Sequence, residues 1–79
     1  MASPEARIVF ARRLRELRVA RGYHTAHSFA VALGIEQNRY TRYERAEVEP
    51  SLTLIDKICR MLDVLPNDLL GYSEPDGRP

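Results

Sequence analysis

Apolar residues recur with helical spacing along most of the chain, in stretches that glycine and proline separate. In the first stretch, apolar side chains return every two to four positions. Pro4 after Ser3 is typical of a helix start, because proline lacks the N–H that a first turn leaves unbonded, and Gly22 is typical of a helix end. The pattern predicts a first helix over about residues 4–21, with Ser3 as its N-cap.

Two shorter helices follow, and a single glycine turn separates them. The first covers about residues 25–33 and ends at Gly34, which adopts a positive φ without steric cost. The second covers about residues 36–45. Such a pair predicts a helix-turn-helix, with Phe29 and Leu33 buried on the apolar side of its first helix.

The last third of the chain contains signals for two more helices. Ser51 is a favourable N-cap for a fourth helix, and Pro66 begins a short fifth helix that Gly71 ends. No stretch alternates apolar and polar residues over the length of a strand. We therefore predict an all-α fold, a compact five-helix bundle with a helix-turn-helix domain over residues 1–71 and a flexible tail over residues 72–79.

Composition excludes several classes of protein. The chain has 79 residues, 44% of them hydrophobic, which suits one small domain, and a single cysteine excludes a disulfide scaffold. No apolar run approaches the roughly 20 residues that cross a bilayer, and the N-terminal residues do not resemble a secretion signal. These features predict a cytoplasmic protein, located at the nucleoid if it binds DNA.

Candidate chemistry for catalysis or metal binding is sparse. His24 and His27 lie three positions apart, but two histidines without a third ligand rarely bind a metal ion, and Cys59 belongs to another helix. The sequence contains no glycine-rich phosphate loop, no Ser/His/Asp arrangement and no pair of carboxylates expected to face inward. We predict a protein that is not an enzyme and that has no metal ion or cofactor.

Charge is distributed unevenly along the chain. The net charge is only +1, but residues 1–22 carry six arginines against two glutamates, a net of +4, and residues 46–79 have a net charge of −4. A basic first half suggests a polyanionic partner for one side of the molecule, and arginine suits phosphate and guanine because its planar fork donates two parallel hydrogen bonds. The alternative is that basic and acidic helix faces neutralise each other within the fold.

The ordered set of turn, core and polar residues resembles the phage-repressor or Cro-like helix-turn-helix regulators, also called the xenobiotic-response-element type. The resemblance covers about residues 8–71. Its matching segments are Arg13-Leu14-Arg15-Glu16-Leu17-Arg18, Thr25 with Phe29-Ala30, Leu33-Gly34-Ile35, Tyr40-Thr41-Arg42-Tyr43-Glu44-Arg45, Pro50-Ser51-Leu52, and Val64 with Leu69-Leu70-Gly71. It implies a five-helix domain whose third helix enters the major groove of DNA.

The resemblance also implies which side chains read the bases. Gln37 and Asn38, the first residues of the third helix, would reach base edges, where their amides can pair with adenine. Thr41 and Arg42 lie one helical turn further on the same side, so we expect all four to form one exposed surface. Arg42 would read guanine with its fork, or bind phosphate if the helix tilts.

The DNA backbone would be bound by residues around that surface. The predicted contacts are Thr25, Ala26, His27, Arg39 and Arg45. The chain departs from the family in ways that bear on these contacts. Ala26 stands where glutamine is common, Glu36 where a serine or threonine cap is normal and Ala46 where glycine is usual, and Glu47 and Glu49 would repel phosphate.

A further pair is expected to be structural. Arg18 and Glu44 match a buried or half-buried ion pair that the family uses between its first and third helices. Such a pair holds the two helices in register and adds little net stability.

The function that the resemblance implies is binding of a double-stranded DNA operator by a small transcriptional regulator that acts as a repressor. One helix reads only a few base pairs, so we expect a homodimer through helices 4 and 5 and the tail, on half-sites one helical turn apart. Two alternatives remain open: a helix-turn-helix used for protein–protein interaction, and an antitoxin whose protein partner is a toxin.

Overall fold

The computed structural model describes residues 4–72 and contains five helices within them. They are α1 (Pro4–Ala20), α2 (Ala26–Leu33), α3 (Gln37–Glu44), α4 (Leu52–Leu62) and α5 (Pro66–Leu70). No strand occurs in this part of the chain, so the predicted all-α, five-helix fold is confirmed. The proposed N-cap Ser3 and residues 73–79 of the proposed tail lie outside the described residues.

Local hydrogen bonds explain where the helices of the helix-turn-helix begin and end. The Thr25 hydroxyl accepts a hydrogen bond from the backbone N–H of Ser28 at 3.0 Å, which satisfies a donor in the first turn of α2. Gly34 ends α2 in the left-handed conformation, with φ 78°, and its N–H donates to the carbonyl of Val31 at 3.0 Å. These two contacts fix where α2 begins and where it ends.

The core lies where all five helices meet. Phe29 and Leu33 are fully buried, as the pattern of apolar residues predicts. Phe29 contacts two tyrosine rings edge-on, with centroids 4.9 Å away in Tyr23 and 5.7 Å away in Tyr40. This aromatic cluster joins the first connection of the chain to both helices of the helix-turn-helix.

The end of α5 packs closely against α1. Gly71 has φ 75°, and a Cβ atom at this position would lie 2.8 Å from Cγ1 of Val9. Glycine is required here both for the backbone conformation and for the close approach. The first and last helices of the bundle are thereby in direct contact.

Most of the arginines of α1 have partners inside the fold, and so does Arg21, which follows α1. Four of them donate hydrogen bonds to backbone carbonyls at or just beyond the C-terminal ends of α3, α4 and α5. Carbonyls at a helix end accept no hydrogen bond within the helix, so they are free to accept one from a side chain. The contacts are Arg7 Nε to Ala46 O (3.2 Å), Arg15 Nη1 to Glu44 O (3.2 Å), Arg13 Nε to Asp68 O (2.7 Å) and Arg21 Nε to Leu62 O (2.6 Å). The positive charge of residues 1–22 thus serves the fold. Carbonyl groups carry no net charge, so these hydrogen bonds do not decide between the two interpretations of the charge pattern.

Candidate nucleic-acid interface

The start of α3 is organised by an unusual cap. Both carboxylate oxygens of Glu36 accept backbone hydrogen bonds at 3.1 Å, one from the N–H of Asn38 and one from the N–H of Arg39. A carboxylate at this position also stabilises the positive end of the helix dipole. Glu36 therefore caps α3 in place of the serine or threonine expected at this position.

The surface of α3 predicted to read DNA is only partly as expected. Gln37, Asn38 and Arg42 are exposed. Thr41 is partly buried, and its hydroxyl donates to the carbonyl of Asn38 at 3.0 Å. Three of the four predicted readers are therefore fully exposed, and Thr41 is only partly accessible, with its hydroxyl engaged within α3.

Gln37 has a neighbour that the sequence did not reveal. Nδ1 of His27, in the first turn of α2, lies 3.0 Å from Oε1 of Gln37, in the first turn of α3. Since an amide oxygen only accepts hydrogen bonds, the contact is a hydrogen bond in the tautomer of His27 that is protonated at Nδ1. The sequence predicts a phosphate contact for His27. In the structure, His27 links the first turns of α2 and α3.

Arg42 also has an unpredicted partner. Its Nε lies 3.4 Å from Oε1 of Glu47, and both side chains remain about half exposed, at 57% and 46%. The backbone brings Glu47 there, because Ala46 has a left-handed φ of 61° and the N–H of Glu47 donates to the carbonyl of Arg42 at 3.0 Å. The sequence identified Glu47 only as a residue that would repel phosphate.

The residues predicted to contact the DNA backbone fall into two groups, one on and just after α3 and one at the start of α2. Arg39 and Arg45 are exposed on and just after α3. Thr25 is exposed, with its side chain engaged in capping, and Ala26 is partly buried and packs against the core. The N–H groups of Ala26 and His27 lie in the first turn of α2, where a helix supplies no acceptor of its own.

A buried ion pair holds the far end of α3 against α1. Arg18 donates from Nε to Glu44 Oε2 at 2.7 Å and from Nη2 to Oε1 at 3.3 Å, and the side chains are only 6% and 10% exposed. Arg18 Nη1 also donates to the carbonyl of Tyr23 at 2.7 Å, and the Tyr40 hydroxyl donates to Glu44. Burial, followed by the hydrogen bond and the charge of Glu44, raises the pKa of Tyr40 far above its ordinary value.

An open apolar groove lies between α4 and α5, on residues outside the helix-turn-helix. Its lining includes Leu52, Ile55, Cys59, Pro66 and Leu70. Leu52 is 83% exposed, which is unusual for so apolar a side chain.

The described residues contain neither a metal site nor a membrane-spanning helix. Within residues 4–72, no group of three or more His, Cys, Asp or Glu side chains is placed to hold a metal ion. None of the helices described is long and apolar enough to cross a membrane.

Comparison with known proteins identifies the class. A family model described as a helix-turn-helix domain matches residues 9–70, and the chain belongs to this family. The resemblance to phage-repressor or Cro-like regulators is thus confirmed, and with it the class of protein, a DNA-binding regulator of transcription. No curated protein matches the chain at a significant level.

Two solved structures are similar over most of the chain. The restriction-modification controller protein C.AhdI from Aeromonas hydrophila is 33% identical, with a TM-score of 0.70 over 80% of this chain and 94% of that one. The hypothetical transcription factor NHTF from Neisseria is 25% identical, with a TM-score of 0.75 over 96% of this chain and 85% of that one. Both similarities extend well beyond the helix-turn-helix.

Proposed function

We propose that this protein binds a specific double-stranded DNA operator through α3 and represses transcription by occupying it. The observation that carries the proposal is the exposed surface of α3 that Gln37, Asn38 and Arg42 form. The cap at Glu36 and the Arg18–Glu44 ion pair hold this helix in place. A major groove is wide enough to admit such a helix.

The chemistry of these side chains suggests how they read bases. Gln37 and Asn38 offer amides that can donate and accept toward adenine, and Arg42 offers a fork for the O6 and N7 atoms of guanine. Thr41 contributes at the edge of the same surface. His27 favours one orientation of the Gln37 amide, because Oε1 of Gln37 accepts its hydrogen bond.

Phosphate contacts would fix the position of α3 in the groove. The open N–H groups of Ala26 and His27 at the start of α2 suit a phosphate oxygen, as helix N-termini often do. Arg39 and Arg45 are exposed and add positive charge on and just after α3, and Thr25 positions the first turn of α2 by capping it. These contacts would raise affinity for every duplex without distinguishing sequences.

A homodimer would double the number of bases read. The apolar groove between α4 and α5, with the exposed side chains Leu52 and Leu65 beside it, is the surface that we assign to this contact, together with the tail. Its position outside α2 and α3 would leave both recognition helices available for half-sites about one helical turn apart.

The test begins with selection of bound duplexes from a random pool. Arg42→Ala and Arg39→Ala are then compared on the selected duplex and on a scrambled one, at two salt concentrations. Arg42→Ala is expected to cost about 1–3 kcal/mol on the selected duplex and to relax the preference at one base pair. Arg39→Ala is expected to weaken both duplexes alike and to reduce the salt slope by about one.

Two results would argue against these assignments. Equal losses for Arg42→Ala on both duplexes would make Arg42 a phosphate contact and leave Gln37 and Asn38 as the readers. Failure of the wild-type protein to enrich any duplex, with no salt-dependent binding, would favour the alternative of a protein-interaction module or an antitoxin.

A further inference from the structure

We infer that Glu47 is a positioning residue that sharpens the preference of Arg42 for guanine over phosphate. The inference rests on the proposed function of α3 and assigns a role to the loop that follows it. Glu47 is thereby more than a source of repulsion.

Two hydrogen bonds to the backbone of the loop hold Glu47 in place. Its own N–H donates to the carbonyl of Arg42 at 3.0 Å, across the turn that the positive φ of Ala46 creates. On the other side, Nε of Arg7 donates to the carbonyl of Ala46 at 3.2 Å. The carboxylate of Glu47 is therefore directed back onto α3 by a turn that is anchored to α1.

The contact leaves the reading end of Arg42 available. Glu47 lies beside Nε, at 3.4 Å, and the guanidinium has four more N–H donors on its two Nη atoms. Those donors form the fork that can bind O6 and N7 of guanine. A carboxylate beside Nε restricts rotation of the planar group, so less freedom is lost when the fork binds.

Glu47 acts differently on the two possible partners of Arg42. A phosphate brings a full negative charge close to the Glu47 carboxylate, which repels it. The edge of a guanine carries no net charge, so its O6 and N7 atoms meet much weaker repulsion. Glu47 therefore weakens a contact of Arg42 with phosphate more than it weakens a contact with guanine. Weakening the unwanted contact is one way in which proteins gain specificity.

The chain contains a matched control for this effect. Glu49 lies two positions further along the same loop, and its carboxylate pairs with Nη1 of Arg7 at 3.9 Å instead of with α3. Glu47→Gln and Glu49→Gln therefore remove the same charge from the same loop. Only Glu47→Gln also removes the partner of Arg42.

The experiment measures dissociation constants by fluorescence anisotropy on the selected and scrambled duplexes, with the full chain. Glu47→Gln should tighten binding to the scrambled duplex by about three- to tenfold and change binding to the selected one much less, so the ratio of the two constants falls. Glu49→Gln should tighten both alike and keep that ratio. In an Arg42→Ala background, Glu47→Gln should behave as Glu49→Gln does.

Three outcomes would overturn the inference. If Glu47→Gln and Glu49→Gln give the same ratio of the two dissociation constants while the wild type prefers the selected duplex, the role of Glu47 is refuted and the proposed function stands. A fall in the ratio that persists in the Arg42→Ala background would show that Glu47 does not act through Arg42. A wild-type protein with no preferred duplex would refute the proposed function and this inference with it.

Discussion

Replacing Glu44 by alanine removes a carboxylate that two largely buried side chains share. Arg18 would lose hydrogen bonds of 2.7 and 3.3 Å and keep only its contact with the carbonyl of Tyr23. The hydroxyl of Tyr40 would lose its acceptor as well. The variant would therefore leave a positive charge and a hydroxyl without partners in the interior.

The size of the loss follows from the burial of the pair. Removing one partner of a buried ion pair typically costs about 3–5 kcal/mol, because the remaining charge stays desolvated. A domain of this length is stabilised by roughly 4–12 kcal/mol in total, at about 0.05–0.15 kcal/mol per residue. Glu44→Ala is thus expected to remove about a quarter or more of the stability. Glu44→Gln keeps one oxygen that can accept from both Arg18 Nε and the Tyr40 hydroxyl and loses the acceptor for Arg18 Nη2, so it should cost less than Glu44→Ala.

Urea unfolding followed by circular dichroism at 222 nm measures these differences. The control is Glu49→Ala, which breaks the more exposed pair with Arg7 and is expected to cost less than about 1 kcal/mol. The folded Glu44→Gln variant should select the same duplex as the wild type. If Glu44→Ala costs no more than Glu49→Ala, the reasoning that this pair holds α3 against α1 is wrong.

Three other substitutions test the core, a turn and the response to pH. Leu33→Ala should destabilise the domain by about 2–5 kcal/mol in urea unfolding, because Leu33 is fully buried, and a loss well below that range would contradict its packing. Ala46→Gly should raise the free energy of unfolding by up to about 1 kcal/mol, since glycine adopts the left-handed φ of 61° without strain; a lower value would argue against this conformation. The raised pKa of Tyr40 means that the unfolded chain releases that proton first, so stability is fully present below about pH 10 and lost above it, by at most about 1.4 kcal/mol per pH unit. Tyr40→Phe should flatten this alkaline loss, and an unchanged slope between pH 9 and 11 would count against it.

The fold could be predicted from the sequence because its signals are local. A threonine that caps α2 and a glycine that ends it act through neighbouring residues, as Thr25 and Gly34 do. The burial of Phe29 and Leu33 follows from helical spacing alone. The Arg18–Glu44 contact was expected only because of the resemblance to a family, and the structure contains it.

The contacts around the candidate readers could not be predicted because they depend on the meeting of separate elements. His27 reaches Gln37 only after the turn at Gly34 has set the angle between α2 and α3. Glu47 reaches Arg42 only because Ala46 adopts a backbone conformation that its residue type disfavours. No spacing rule indicates either contact.

The closure of the bundle on α1 has a consequence for the order in which the chain becomes structured during synthesis. Arg13 bonds to a carbonyl 55 positions further along, and Val9 packs against Gly71. α1 therefore leaves the ribosome well before these partners, which follow it at roughly 5–20 residues per second. In a chain halted before α5, α1 would lack these contacts, so we expect α1 to settle into its final position only after α5 has left the exit tunnel.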